Sequence, residues 1–281
     1  MTAKIFNIQS FSTNDGPGIR TVVFFQSCNL RCLWCHNPES WEDNPPIAFL
    51  KEKCIACGAC INICAAHSNI IGEIDRSLCK SCGRCSDVCC SGALSHQCRE
   101  FTPQELWKIL AVDKAYFQNG AGGITFSGGE AMLQVDFLAE MVKICREEGV
   151  HTAVDTAGHV PYEWLKKVNP DLFLYDIKAV EKYKFLTGVD GILILENLRR
   201  LIEDGYKVQV RVPCVPGANW DELAVIGERL HLLGIMDIEA LPYHKLGEGK
   251  ARWYGVDATQ FEQPSDEEML EANKLLKGKI L

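Results

Sequence analysis

From residue 101 onward the chain alternates helix and strand signals in strict succession. Thr102-Pro103-Gln104-Glu105 reads as a capping box with proline in the first helical turn, opening a helix to about Gln118. A strand is expected at 122–127. A helix follows at 133–148, with Leu138, Met141, Val142 and Cys145 at helical spacing and Gly149 at its end. Further strands are expected at 151–156, 171–178, 207–215 and 236–242, and further helices at 161–168, 191–204, 219–233 and 264–277. A β-branched and aromatic run at 20–27 adds a strand that delivers Cys28, and 5–10 reads as a short strand before it. Strand, helix, strand in succession demands parallel βαβ units. Counting the strand before Cys28 gives six of them, short of the eight that close a barrel. The expected fold is therefore α/β, a partial (β/α)6 barrel.

The cysteines crowd into the part of the chain that precedes most of this pattern. Of 15, 13 lie between Cys28 and Cys98. A disulfide framework suits a short secreted chain, and 281 residues with no signal-peptide pattern is not one, so the crowding points to metal. Cys28, Cys32 and Cys35 are spaced C-x3-C-x2-C. Three thiolates can hold three irons of a cubane [4Fe–4S] cluster and leave the fourth iron open; a zinc site or a distant fourth cysteine is the alternative. Cys54, Cys57, Cys60 and Cys64 form a C-x2-C-x2-C-x3-C run that Cys79, Cys82, Cys85 and Cys89 repeat. This duplication matches the two-cluster bacterial ferredoxin run, in which the fourth cysteine of each run serves the other cluster. One cubane then takes Cys54, Cys57, Cys60 and Cys89, and the other Cys79, Cys82, Cys85 and Cys64. Zinc sites favour cysteine pairs over such triplets. No proline follows either run, so Cys90 competes with Cys89 as a ligand. Cys98 fits no pattern, and Cys145 and Cys214 read as core residues. The expected organisation is 1–44 for the first barrel strand and cluster loop, 45–100 for a ferredoxin-like insertion, and 101–281 for the rest of the barrel and a final helix.

A net charge of −8 without a basic stripe argues against nucleic acid as a partner. No run of about 18 apolar residues argues for a membrane span. A cytoplasmic monomer is expected.

In parallel barrels functional residues collect at the C-terminal ends of the strands. The polar outliers of this sequence fall there: Cys28 to Cys35, Gly128-Gly129-Glu130, Asp155-Thr156, Asp176 with Lys178, Arg211, and Tyr243-His244. Taken singly each has a plainer reading: a Gly-Gly turn, a solvated Asp-x-Lys face, a capping aspartate, a core histidine, a packed Trp34. Asp15-Gly16-Pro17-Gly18, before Arg20, reads by itself as a turn.

The stretches DGPGIRTVVFFQSCNLRCLWCHNP, FSGGE, DTAG, YDIK, RVPCVPG and LPYHKLG, spread over residues 15–247, resemble the glycyl-radical-enzyme activating enzymes of the radical S-adenosylmethionine (SAM) superfamily. The duplicated runs resemble the subset with two extra ferredoxin-type clusters. Ala131 stands where the family has the proline of GGEP.

The resemblance implies three [4Fe–4S] clusters. Cys28, Cys32 and Cys35 would hold the one whose open iron chelates SAM. Trp34 would contact adenine, and Gly128, Gly129 and Glu130 would hold the methionine amino group. Lys178 would take the SAM carboxylate, and His244 would hydrogen-bond SAM, with Arg211 among the cofactor-binding set. Asp155, Thr156 and Asp176 would form a monovalent cation site (Na+ or K+), while Asp15 and Arg20 would meet the partner's peptide loop. Reductive cleavage of SAM to a 5′-deoxyadenosyl radical, which takes a glycine Cα hydrogen from a glycyl radical enzyme, is the implied activity. A flavodoxin or ferredoxin would supply electrons, relayed by the insertion unless that insertion is a docking surface. The rival readings are a radical SAM enzyme acting on a small molecule or another peptide, and a ferredoxin-like electron carrier.

Overall fold

The computed structural model describes residues 1–67, 72–117 and 122–278. The chain opens with β1 (Ala3–Ser12) and β2 (Arg20–Phe25), which pair antiparallel. An inserted segment follows, containing β3 (Ala48–Phe49), α1 (Arg84–Asp87) and β4 (Leu94–Ser95). Next come β5 (Arg99–Phe101), α2 (Pro103–Leu110), α3 (Lys114–Phe117) and β6 (Gly123–Gly128). The remaining units are α4 (Val135–Glu147), β7 (His151–Thr156), α5 (Tyr162–Val168), β8 (Leu172–Asp176), α6 (Tyr183–Thr187), α7 (Ile192–Glu203) and β9 (Val208–Cys214). The chain ends with α8 (Leu223–Leu232), β10 (Ile238–Pro242), α9 (Leu246–Tyr254) and α10 (Asp266–Lys277).

The main sheet runs β10-β9-β8-β7-β6-β2-β1-β5. Its six parallel strands, β2 and β6 to β10, are the six expected. Their interiors are largely buried and mostly apolar, as in Val22, Val23 and Phe25 and in Ile124 and Phe126, because helices and barrel interior cover both faces. All six point their C-terminal ends the same way, which gives the sheet one functional rim.

The structure refines the elements in four places. The capping box forms, with Glu105 N donating to Thr102 Oγ1 (3.3 Å) and Thr102 N to Glu105 Oε2 (2.8 Å). Helix α2 then tightens into a 3-10 turn before α3, and the expected end at Gln118 lies outside the described residues. Residues 99 and 100, expected in the insertion, belong instead to β5, an antiparallel edge of the main sheet paired with β1. Helices α6 and α9 answer to no pattern identified in the sequence.

The inserted segment has a two-stranded sheet of its own, β3 with β4, over a small core of Ile47, Cys85 and Leu94. Cys145 and Cys214 are buried in the main core, as expected. Among the described residues no helix is long and apolar enough to cross a membrane.

Candidate active site

The rim encloses a cavity of about 570 Å³ lined from all six parallel strands. The chain leaving β2 turns at Ser27, whose φ is 82°, and enters the loop of Cys28, Cys32 and Cys35. Backbone contacts fix this loop on two sides. Gly129 N donates to Phe25 O (2.9 Å) and Glu130 N to Ser27 O (2.8 Å). Arg31 N donates to Thr187 O (2.7 Å) and Leu33 N to Leu186 O (3.0 Å), at the C-terminal end of α6. The Gly-Gly pair is required by close approach: a Cβ on Gly128 would lie 2.2 Å from Phe25 N, and one on Gly129 2.2 Å from Ser27 O.

The three thiols are partly exposed toward the cavity and carry no disulfide. Burial pushes Cys28 and Cys32 up to about 12 and raises Cys35 in the same direction. Three thiolates side by side in so desolvated a loop call for more positive charge than Lys178 alone brings. A cationic iron–sulfur core supplies it, so the donor set fits the implied cluster.

Glu130 lies beneath the loop, 1% exposed. Both its oxygens are engaged: Oε1 accepts from Thr156 Oγ1 (2.8 Å) and Met132 N (3.2 Å), and Oε2 from Ala157 N (3.0 Å). Burial, only partly offset by these bonds, raises its carboxyl to about 7. Named with Gly128 and Gly129 in the expected site for a SAM amino group, this side chain ties the β6 loop to the β7 loop.

Asp155, Asp176, Arg211 and Lys178 form one charge network, Arg211 buried and the other three half-buried at the cavity wall. Arg211 Nη2 lies 2.5 Å from Asp155 Oδ1 and 3.2 Å from Asp176 Oδ1, while Lys178 Nζ donates to Asp176 Oδ2 (2.9 Å) and Ser127 Oγ to Asp155 Oδ2 (2.7 Å). Burial opposes every charge here. Asp176, beside two cations, is nevertheless held below the usual carboxylate range, whereas Asp155, with one cation and a carboxylate neighbour, lies above it. Lys178 and Arg211 stay cationic because the carboxylates outweigh their burial, and Cys32 adds to the hold on Lys178. Among the described residues, no three His, Cys, Asp or Glu side chains converge to hold a single metal ion. The aspartates expected in a cation site each pair with Arg211 through one oxygen.

Trp34 lines the cavity while its ring packs edge-on to Phe261, with centroids 6.4 Å apart. His244 is exposed at the mouth. Its carbonyl accepts from His36 Nε2 (2.8 Å), and the His36 ring stacks on Tyr243 and His244. His36 was not among the sequence candidates; its one signal is adjacency to Cys35. Asp15 lines the same cavity and its carbonyl accepts from Thr125 Oγ1 (2.6 Å). Arg20 departs from expectation. It is fully buried, with Nε donating to Thr125 Oγ1 (2.6 Å) and Nη2 to Ile124 O (2.7 Å), and so offers no surface to a partner's loop. Its place at the first residue of β2 explains this, since the rim is at that strand's other end.

In the insertion, Cys54, Cys57, Cys60 and Cys89 line one small cavity. Cys64 lies in the electrostatic neighbourhood of Cys85, together with Cys79 and Cys82. The fourth thiol of each run thus sits with the other run, and Cys90 is exposed outside both groups.

A parallel sheet with an open three-thiol loop at its rim defines the radical SAM class, and comparison with known proteins agrees. The family model of the Radical SAM superfamily matches residues 22–230. The trans-4-hydroxy-L-proline dehydratase activating enzyme of Clostridioides difficile is 37% identical over 293 residues, covering 99% of this chain and 97% of the relative. The choline trimethylamine-lyase activating enzyme of Oleidesulfovibrio alaskensis is 38% identical over 270 residues, covering 90% and 87%. The structure of TYW1 with a lysine-pyruvate adduct bound shares the fold at a TM-score of 0.51 and 15% identity, over 92% of this chain and 72% of that one. The chain belongs to the radical SAM superfamily and, within it, to the glycyl-radical-enzyme activating enzymes, which use a [4Fe–4S] cluster and SAM to install a radical on a glycine of a partner enzyme.

Proposed function

We propose that Cys28, Cys32 and Cys35 hold the SAM-cleaving cluster and that SAM lies in the rim cavity, with Trp34 and His244 toward the adenosyl part and Lys178 toward the carboxylate. The observation that supports this reading is the convergence of the three thiols with polar groups from every parallel strand on one cavity. When bound, the cluster and SAM together supply a primary carbon radical that removes a hydrogen from a glycine Cα. The chain's own residues bind, orient and exclude water. Glu130 and the Gly128-Gly129 pair fix the loops on which the cysteines and Thr156 stand. Lys178 has three donors, of which Asp176 takes one, so it can meet a second carboxylate without losing the first. Arg211 neutralises Asp155 and Asp176, and a monovalent cation beside SAM, drawing on those aspartates and Thr156, would compete with it.

Cys54, Cys57, Cys60 and Cys89 hold a second [4Fe–4S] cluster, and Cys79, Cys82, Cys85 and Cys64 a third, in a ferredoxin-like insertion. That insertion relays electrons from a flavodoxin or ferredoxin. The chain acts in the cytoplasm as a monomer, and its partner is of the kind its relatives activate, such as a hydroxyproline dehydratase or a choline lyase. The test is anaerobic incubation of the reconstituted, reduced protein with SAM and such a partner. A glycyl-radical doublet in the electron paramagnetic resonance (EPR) spectrum of the partner is expected. Consumption of SAM with no radical on the partner, while a small metabolite is turned over, would overturn the reading.

A further inference from the structure

Helix α6 has no signal in the sequence, yet it touches the cysteine loop directly. Two side chains outside the cavity hold it and the segment before it. Glu222 is 4% exposed and spends both oxygens on this segment: Oε2 accepts from Val180 N (2.7 Å) and Oε1 from Lys182 N (2.7 Å), the residue that caps α6. A carboxylate so buried is tolerated because both oxygens are satisfied by donors. Asn219, fully buried, donates from Nδ2 to Lys178 O (2.8 Å) and Pro213 O (2.7 Å), while its Oδ1 accepts from Val215 N (2.9 Å). At the far end of α6, Thr187 O and Leu186 O receive the amides of Arg31 and Leu33, the two neighbours of Cys32. A continuous path of hydrogen bonds and one helical turn therefore runs from Glu222 to both sides of Cys32, and a parallel one from Asn219 to the backbone of Lys178.

We infer that Glu222 and Asn219 are positioning residues for SAM cleavage: α6 acts as a strut that sets Cys32 and Lys178 relative to one another. The inference rests on the reading of Cys32 as a cluster ligand. A merely structural anchor would affect melting and nothing else.

Glu222→Gln keeps the side-chain shape but sets an amide donor against one of the two N–H groups. Glu228→Gln, on the exposed face of α8, is the control. In the reconstituted, reduced protein, Glu222→Gln should raise the KM for SAM roughly tenfold, the scale of one charged hydrogen bond. It should also diminish the change that SAM produces in the cluster's EPR signal, with iron in the insertion retained. Asn219→Asp, which loses the donor to Lys178 O, should shift the same KM and serves if the first variant does not fold. Wild-type KM and wild-type EPR response in both variants, with or without a lower melting temperature, would overturn the inference while leaving the functional reading intact. A wild-type protein that fails to cleave SAM would overturn both.

Discussion

Glu130 is a buried carboxyl that meets only neutral donors, the hydroxyl of Thr156 and the amides of Met132 and Ala157. Burial raises it from the ordinary 4.5 to about 7. The folded state then binds the proton more tightly than the unfolded chain does. The stability this group contributes is fully present below pH 4.5 and is lost as pH rises through about 7, a span worth at most ~3 kcal/mol. Melting curves of the iron-free protein should show this. The wild type should lose stability relative to Glu130→Gln between pH 5 and 7.5, and parallel pH profiles would contradict the assignment. Arg211 illustrates the opposite balance at the same scale. One guanidinium fork spans two aspartates, and this lets both remain in a site with little water.

At the scale of elements, the insertion differs in kind from the barrel. Its buried apolar core consists of Ile47, Cys85 and Leu94, packed against Phe49, Ile74 and three more cysteines. So small a core needs a staple, and the thiols are placed to accept one. Limited proteolysis of the iron-free protein should cut within the insertion while the barrel survives, and reconstitution with iron and sulfide should protect it. Equal resistance with and without iron would contradict this. The barrel strands were legible in the sequence because β-branched and aromatic residues recur in them and polar or glycine residues cluster at or just beyond their C-terminal ends. Helix α6 was not: five residues long, with Phe185 76% exposed, it buries only Tyr183, Leu186 and Thr187, too few positions to show a periodic stripe, and it is further held by Glu222 and by the amides beside Cys32, far away in sequence. Strand β5 was missed because its three residues are strand only through pairing with β1. Arg20 was expected, by resemblance, to meet a partner's loop, but it opens β2 and is buried at the end of that strand away from the rim.

At the scale of the molecule, helix α9 joins the parts. Lys250 Nζ reaches Glu39 Oε1 (2.6 Å) and Asn37 Oδ1 (2.8 Å) just beyond Cys35. Arg76 of the insertion donates to Trp253 O (2.9 Å) at the other end of the same helix. Barrel rim, cysteine loop and insertion are thereby connected by polar contacts, partly buried at Lys250 and exposed at Arg76, rather than by chain alone. The division of labour among three groups of thiols is the centre of the account, and one comparison addresses it most directly. Iron content and 5′-deoxyadenosine formation should be measured for the anaerobically reconstituted, dithionite-reduced wild type and for the variant carrying Cys28→Ala, Cys32→Ala and Cys35→Ala. Iron should fall from ~12 per chain to ~8, with 5′-deoxyadenosine formed by the wild type and none by the variant. A variant that keeps the full iron complement, or that still cleaves SAM, would contradict it.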